Sequence, residues 1–303
     1  MTKLYLKLQY WYRKYIPKSV SSKISKLINN NFKIQLLLFK LKTKIVNYKK
    51  TGFEHLELVT IENIVTKVGL EEKSYIDIGA GNGFSSSATY AFAKNSQWTG
   101  LSIEASELSF KKMAYIYKNF KNAIVNKEKV TPNNIIQILD NYEVPKDFGI
   151  LNIDIDSYDL DVLKAIIDNK YKPSIISAEI NEKIPPPVEF SVSYDEKHFY
   201  NNDDFYGCSI SALYNYLSKK DYILVDLLYI NAIFVERKYT QLLEPLTDSE
   251  AYEAGYKNRT DKYELLKHNK KFDELLHMDS SEVINYIEDL FQKYKGKYYL
   301  KKP

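Results

Sequence analysis

Short apolar segments alternate with longer amphipathic ones between about residues 54 and 237. Helical periodicity occupies the earlier intervals, at Ser85–Lys94, Glu107–Phe120 and Leu160–Asn169. Strands and helices that alternate in this way predict a doubly wound, mostly parallel α/β sheet with helices on both faces. The seven apolar segments that we predict to be strands are Tyr75–Ile78, Trp98–Glu104, Ala123–Asn126, Phe148–Asp154, Ser174–Ile180, Tyr222–Leu227 and Ala232–Glu236.

The last two predicted strands are joined by residues 228–231 alone, which is too short a connection for a crossover. They should pair as an antiparallel hairpin, which makes a seven-stranded sheet with six parallel strands and one antiparallel strand. The flanking sequence is charged and helical in character on both sides. We therefore expect a helical N-terminal arm over residues 1–53, an α/β domain over 54–238 and a C-terminal helical appendage over 239–303.

Charge separates the arm from the rest of the chain. Residues 1–50 contain thirteen basic residues and no acidic one, which leaves 30 basic against 39 acidic residues elsewhere. An apolar stripe at Ile34, Leu37, Leu38 and Leu41 has helical spacing. Two roles stay open for the arm: packing on its own body or on a second copy in a homodimer, which we favour, and peripheral binding to an anionic membrane.

Composition narrows the class of protein further. The single cysteine, Cys208, excludes a disulfide framework and a Cys-rich zinc site, and it favours a reducing compartment such as the cytoplasm. The longest apolar run near the N-terminus, Leu36–Phe39, is far short of the ~20 residues that span a bilayer. Three arginines in the whole chain make nucleic acid an unfavoured partner, because arginine is the preferred residue for reading bases and phosphates.

A glycine cluster directly follows the first predicted strand. Three of the ten glycines lie within five residues there, where they permit a tight turn and close approach of a ligand to the backbone, at the start of the next helix. The second predicted strand ends at Glu104, and an acid at that position commonly accepts hydrogen bonds from ribose hydroxyls. Together they predict a site for an adenosine-containing cofactor that includes Asp77, Gly79, Ala80, Gly81, Asn82, Gly83, Ser85 and Glu104.

The same cluster distinguishes two kinds of cofactor. Phe84 stands where the dinucleotide fingerprint G-x-G-x-x-G has its third glycine. Asp77, two residues before the first glycine, would repel a pyrophosphate and attract a ligand with an ammonium group. Both features disfavour a nicotinamide-dependent dehydrogenase, which stays the alternative enzyme class.

A second set of polar residues lies at the ends of the fourth and fifth predicted strands. Asp154 and Asp156 are two residues apart, as are Glu179 and Asn181, so each pair projects to one face while its strand stays extended. Carboxylate and amide oxygens that converge in this way suit Mg²⁺, Mn²⁺ or Ca²⁺. Without a cation the crowding would raise the pKa of one carboxylate and provide an acid–base group, and plain solvated strand ends are the third interpretation.

A long connection over residues 183–207 follows, rich in aromatic and acidic residues that suit a carbohydrate ring. Connections of this length often act as lids. Its histidine, His198, is the candidate for a base that titrates near neutrality, although a lone loop histidine is more often plain surface.

The spacing Asp77-x-Gly79-x-Gly81-x-Gly83 resembles motif I of the class I S-adenosylmethionine (SAM)-dependent methyltransferases. The segments 130–134, 152–156, 179–181 and 194–207 resemble a bacterial group of these enzymes associated with surface-polysaccharide loci, except that Ser157 replaces the group's usual glycine. The resemblance covers about residues 74–237. It implies a Rossmann-like methyltransferase fold and O-methyl transfer to a sugar hydroxyl of a nucleotide-activated or lipid-linked glycan.

The resemblance also implies roles for individual residues. Asp77 would lie near the methionine end of SAM, Glu104 would bind the ribose, and Asp154 would contact both cofactor and reacting centre. Asp156 would orient the acceptor, and His198 or a carboxylate would take the proton. Some related sugar O-methyltransferases hold a divalent cation at these strand ends, which here would use Asp154, Glu179 and Asn181. The alternative outside enzymology is a non-catalytic protein recruited to membranes by its arm.

Overall fold

The computed structural model describes residues 28, 31–45, 53–85, 87–201 and 203–301. Their strands form a seven-stranded sheet and a separate two-stranded one. The large sheet contains β1 (Ser74–Ile78), β2 (Thr99–Glu104), β3 (Ala123–Lys127), β4 (Asp147–Ile153), β5 (Lys172–Glu179), β7 (Tyr222–Leu228) and β8 (Asn231–Glu236). The small antiparallel sheet pairs β6 (Glu189–Val192) with β9 (Tyr298–Lys301).

The strand order of the large sheet is β3-β2-β1-β4-β5-β8-β7. The first five strands are mutually parallel, and β8 runs antiparallel to both of its neighbours. This arrangement confirms the predicted doubly wound, mostly parallel sheet and its terminal hairpin. Because β1 pairs with β2 on one side and β4 on the other, the order reverses there, and the carboxyl ends of β1 and β4 border the crevice where such sheets bind ligands.

Helices cover both faces of the sheet. Each face has its own buried cluster, because successive side chains of a strand project to opposite faces. Tyr75 belongs to one buried cluster, whereas Ile76 and Ile78 belong to the cluster on the opposite face. The α-helices are α1 (Phe32–Ile45), α2 (Phe53–Val68), α3 (Tyr90–Lys94), α4 (Glu107–Tyr117), α5 (Ile135–Asn141), α6 (Asp159–Asp168), α7 (Ile210–Leu217), α8 (Asp248–Tyr252), α9 (Lys262–Leu265) and α10 (Ser280–Leu290). None of the described helices is long and apolar enough to cross a membrane.

The helix predicted to begin at Ser85 begins instead at Tyr90. The side-chain oxygen of Asn82 accepts hydrogen bonds from the backbone N–H groups of Phe84 and Ser85, both at 2.9 Å. These bonds hold the backbone in a turn and compete with helix formation. The prediction that a helix N-terminus directly follows the glycines is therefore wrong.

The segment 183–207 and the C-terminal region form one further layer. Sequence periodicity indicates a loop and a helical appendage, but each contributes a strand to the small sheet. A third buried cluster lies between them, with Phe190 and Phe205 from the connection and Phe291 from the C-terminal region. Strand β6 has only four residues, and its partner is about 100 positions away, so local periodicity could not reveal the pairing.

Most of the predicted basic arm lies outside the described residues, and α1 is the part that the structure describes. This helix packs on α4, with Lys111 over the ring of Phe32 at 4.8 Å and Lys112 over the ring of Phe39 at 5.6 Å. The predicted stripe is offset from that contact face: Leu37 is 57% exposed and Leu41 46% exposed.

Candidate active site

The glycine turn is packed tightly between β2, β4 and α4. The backbone N–H groups of Gly79 and Ala80 both donate to the carbonyl of Ile103 at 3.0 Å. Gly79 has φ +84°, and a Cβ there would lie 1.6 Å from the carbonyl oxygen of Asp154. A side chain at Gly83 would meet Met113 at 2.6 Å. Glycine is therefore required at both positions by close approach as well as by backbone conformation.

Asp77 lies buried beneath this turn. Its carboxylate accepts hydrogen bonds from the hydroxyls of Thr89 (2.6 Å) and Ser87 (3.1 Å) and from the amide of Asn152 (2.9 Å). These bonds tie β1 to β4 and to the segment after the glycines. Asp77 supports the turn from below in this structure, and its direct contact with a ligand's ammonium group stays a prediction.

Glu104 connects the turn to the end of β2. Its carboxylate accepts from the backbone N–H of Gly81 at 2.8 Å and from that of Ser106 at 2.6 Å. Burial raises the pKa of Glu104, and these backbone donors act in the opposite direction. Each carboxylate oxygen has a second lone pair, so the side chain can still accept from a ligand's hydroxyls.

A cavity of about 360 Å³ opens at the carboxyl ends of these strands. Its lining includes a subset of the predicted site residues: Gly79, Gly81, Glu104, Asp154, Asp156 and His198. The other predicted residues are not in the lining: Asp77, Ala80, Asn82, Gly83, Ser85, Glu179 and Asn181. Asn82 and Ser85 instead bond to each other, at 2.5 Å between the amide nitrogen and the hydroxyl.

Three carboxylates converge beside this cavity. Oxygens of Asp154, Asp156 and Glu179 lie within 4.8 Å of one another. The expected reason, an extended strand through Asp156, is wrong: β4 ends at Ile153 and Asp156 has φ +54°. The turn is held instead by Asp159, whose carboxylate accepts from the backbone N–H groups of residues 155 (2.8 Å) and 157 (3.0 Å).

The convergence is electrostatically costly. Burial raises the pKa values of Asp154 and Glu179, and the charge of Asp156 raises both further. Among the described residues, buried Oε2 of Glu179 has no hydrogen-bond partner, and neither has Oδ1 of Asn181. The amide nitrogen of Asn181 is occupied, since it donates to the carbonyls of Asp204 (2.9 Å) and Tyr206 (3.1 Å). Such a set of oxygens suits a divalent cation, and Asp156 belongs to it although the predicted ligand set omits it.

Glu57 from α2 is a further buried acid near this cluster, and it was missed in the sequence. Its carboxylate accepts from the hydroxyl of Ser177 at 2.5 Å and from the amide of Asn231 at 2.7 Å. Its charge contributes to the raised pKa of Asp154. The sequence signal that could have identified Glu57 is an isolated acid on the apolar face of a helix.

His198 lies in the lining of the cavity. Its Nδ1 is 2.5 Å from the hydroxyl of Ser157, and burial lowers the pKa of the imidazole. Lys129 fixes this part of the connection, because its ammonium group donates to the carbonyls of Glu196 (2.5 Å) and His198 (3.2 Å) and lies 3.8 Å from the ring centre of Phe199. Nothing in the sequence indicated that Lys129 and His198 meet.

Comparisons with known proteins add a limited finding. No family model matches the chain. No curated protein matches it either. Solved structures similar to it include an O-methyltransferase from Bacillus cereus in complex with SAH (S-adenosylhomocysteine), at 15% identity and TM-score 0.41, which covers 75% of this chain and 95% of that one.

Two further structures are similar at the same level. A SAM-dependent methyltransferase from Aquifex aeolicus has 17% identity and TM-score 0.35, and the match covers 59% of this chain and 88% of that one. The N-terminal domain of EvdMO1 with SAH bound has 12% identity and TM-score 0.41, over 59% of this chain and 80% of that one. Similarity of this size does not assign an activity to this chain.

Proposed function

We propose that this protein is a SAM-dependent O-methyltransferase. Its acceptor would be a sugar hydroxyl of a nucleotide-activated or lipid-linked glycan in surface-polysaccharide synthesis. One observation carries the proposal: a single cavity at the switch point of the sheet joins the glycine turn and Glu104 to Asp154, Asp156 and His198. A carboxylate suited to ribose, crowded acids and an imidazole thus line one cavity, which is the combination that methyl transfer to a hydroxyl would need.

Bound SAM would supply an electrophilic methyl group on a positively charged sulfur. The acceptor oxygen then bonds to the methyl carbon as the carbon–sulfur bond breaks, and the hydroxyl proton must leave. The residues of this chain would align the hydroxyl in line with that bond and take the proton. His198 suits the second task, because its lowered pKa keeps the imidazole neutral at pH 7 and Ser157 occupies only Nδ1.

The crowded carboxylates support a divalent cation as a second component. Asp154, Asp156 and Glu179 would hold it, and Oδ1 of Asn181 is a further candidate ligand. A cation there would compensate the mutual repulsion of the acids and lower the pKa of a bound sugar hydroxyl. Mg²⁺ and Mn²⁺ are the ions that such oxygen ligands suit.

Calorimetry with SAM and with NAD tests the cofactor. We expect SAM to bind and NAD to bind weakly or undetectably, and tight NAD binding without SAM binding would favour the dehydrogenase. Incubation with labelled SAM and a panel of nucleotide sugars then tests the acceptor. Binding of SAM with no methylated product on any glycan acceptor would favour a non-catalytic, recruited protein.

For the arm we propose packing within the protein or between two copies, in a protein of the cytoplasm. Packing of α1 on α4 supports that choice, while the exposed leucines of α1 keep peripheral contact with the inner face of the membrane as the rival. Vesicle co-sedimentation separates the two when Leu37, Leu38 and Leu41 are all changed to Ser. Binding to anionic vesicles that the triple variant loses, with its oligomeric state unchanged, would favour the membrane.

A further inference from the structure

A second cavity, of about 580 Å³, shares Asp156 and Tyr200 with the first. The two cavities therefore meet at the carboxylate cluster. Glu179 also contributes to the lining of the second cavity, and its buried Oε2 atom has no hydrogen-bond partner among the residues that the structure describes. Much of the remaining wall comes from the C-terminal region, for which the sequence suggested no role.

The inner part of this cavity contains charges that compensate one another. Lys183 is 6% exposed, lies 3.3 Å from a carboxylate oxygen of Glu182 and donates to the hydroxyl of Tyr206 at 2.5 Å. That hydroxyl in turn donates to Glu182 at 3.0 Å. The amide of Asn269 also donates to Glu182. The remaining acids that line the inner end are Asp156 and Glu179, whose pKa values burial raises.

The exposed mouth has the opposite balance. Asp204 pairs with Lys271 at 2.7 Å, and Asp203 pairs with Lys293 at 3.1 Å, so both acids near the mouth are compensated. Lys267 and His268 begin the 3₁₀ segment after α9 and are exposed. The ion pairs within the described part of the chain include neither of these residues, so their side-chain donors are available to an anion.

We infer that the second cavity holds the acceptor as a glycosyl diphosphate, with its sugar at Asp156 and Glu179 and its diphosphate at Lys267 and His268. This inference rests on the proposed function and assigns the residues that would bind the diphosphate of its acceptor. Sugar hydroxyls can donate to carboxylates, or bind a cation held by them, whereas a diphosphate needs cationic donors away from those acids. Nucleotide-activated and lipid-linked sugars share this chemistry, and the C-terminal region becomes the part that recognises it.

Calorimetry on the full-length protein tests the inference, in metal-free buffer with saturating SAH. The probes are inorganic pyrophosphate, UDP, geranyl diphosphate and uridine. We expect the three diphosphates to bind, and the double variant Lys267→Ala/His268→Ala to weaken their binding about tenfold, because each exposed contact contributes modestly. Lys270→Ala is the matched control, since Lys270 is exposed in the same segment but is not in the lining of the cavity.

Tighter binding of UDP than of geranyl diphosphate would identify a nucleotide-activated acceptor, and the reverse order a lipid-linked one. Equal affinity of the wild type and the double variant, or no binding of any diphosphate by the wild type, would overturn the inference. So would an equal loss in Lys270→Ala. Titration with SAH distinguishes failure of this inference from failure of the proposed function. A protein that binds SAH but no diphosphate contradicts the acceptor site alone. Failure to bind SAH contradicts the proposed function itself.

Discussion

The glycine turn and the carboxylate cluster border one cavity, yet they differ in how far hydrogen bonds within the protein satisfy their carboxylates. In the turn, Asp77 accepts three hydrogen bonds from side chains and Glu104 accepts two from the backbone. In the cluster, three carboxylates crowd together, and Glu179 retains a buried oxygen with no partner. The carboxylates of the turn are held by donors of the protein itself, whereas those of the cluster require protons or a cation.

The difference shows how one fold provides both binding and chemistry. A turn whose donors and acceptors are internally paired keeps its shape before a ligand arrives, so little ordering entropy is lost on binding. A buried cluster of like charges is unfavourable for folding, and such clusters occur where a perturbed pKa or a bound ion has a function. We therefore expect substitutions in the cluster to affect turnover, and those around the turn to affect cofactor affinity.

The largest effect should follow from Glu179→Gln. This change keeps the shape of the side chain but removes a charge from the cluster, so we expect turnover to fall about 10³-fold, since a bound cation is worth several kcal/mol to the reaction. Chelation should abolish wild-type turnover, and Mg²⁺ or Mn²⁺ should restore it. SAM affinity should be unchanged in the variant. Full activity in excess chelator would leave these residues as hydrogen-bonding or acid–base groups only.

His198→Gln tests whether His198 is the base that takes the proton of the acceptor hydroxyl. We expect turnover to fall about 100-fold, which is within the range for loss of a general base. Because burial lowers the pKa of His198 from 6.5, wild-type turnover should rise with pH through a midpoint below 6.5, and the variant should lose that step. His277→Gln, at an exposed position, is the control. An unchanged pH profile in His198→Gln would assign the proton to a carboxylate.

Glu104→Ala tests the turn side of the comparison. Hydrogen bonds to charged groups contribute about 1.5–3 kcal/mol, so the Kd for SAM should rise about 10- to 100-fold while turnover at saturation changes little. Glu107→Ala is a suitable control, because Glu107 is a nearby exposed acid in ion pairs with Lys111 and Lys127. A Kd equal to that of the wild type would show that Glu104 does not bind the cofactor.

The smallest effect concerns stability and pH. Asp154 and Glu179 have pKa values raised above 3.8 and 4.5, first by burial and then by neighbouring carboxylates, among them Asp156. Raised carboxyl pKa values stabilise the fold below those ordinary values, and that contribution is lost as pH rises through the folded-state pKa. In chelator, the melting temperature of the wild type relative to that of Glu179→Gln should therefore fall by a few degrees as pH rises from about 4 to 8.

Glu179→Gln should flatten this dependence, because it removes one of the two crowded acids. Glu71→Gln, at an exposed acid for comparison, should keep the wild-type slope. Divalent cation should also flatten the wild-type curve if the cluster binds it. Wild-type and Glu179→Gln melting curves that stay parallel between pH 4 and 8 in chelator would mean that the carboxylates are not crowded in solution.

The large sheet could be predicted from the sequence because each of its strands is specified by residues that are close together in the chain. Each strand is a short apolar segment, and the two residues that link β7 to β8, 229 and 230, leave antiparallel pairing as the only solution. The glycine turn is local in the same sense, since Gly79 and Gly83 have positive φ and Glu104 ends the next strand. Residue type and spacing therefore determined this protein's large sheet and the candidate cofactor side of its site.

The small sheet, the position of His198 and the second cavity depend on contacts between positions far apart in the chain. The pairing of β6 with β9, the clamp of Lys129 on the segment around His198 and the mouth at Lys267 and His268 each join residues from separate segments. Such contacts leave no periodic signal, because burial and charge balance at each end depend on the partner. Periodicity reports which face a residue occupies within its own element, and only the tertiary structure brings the faces together.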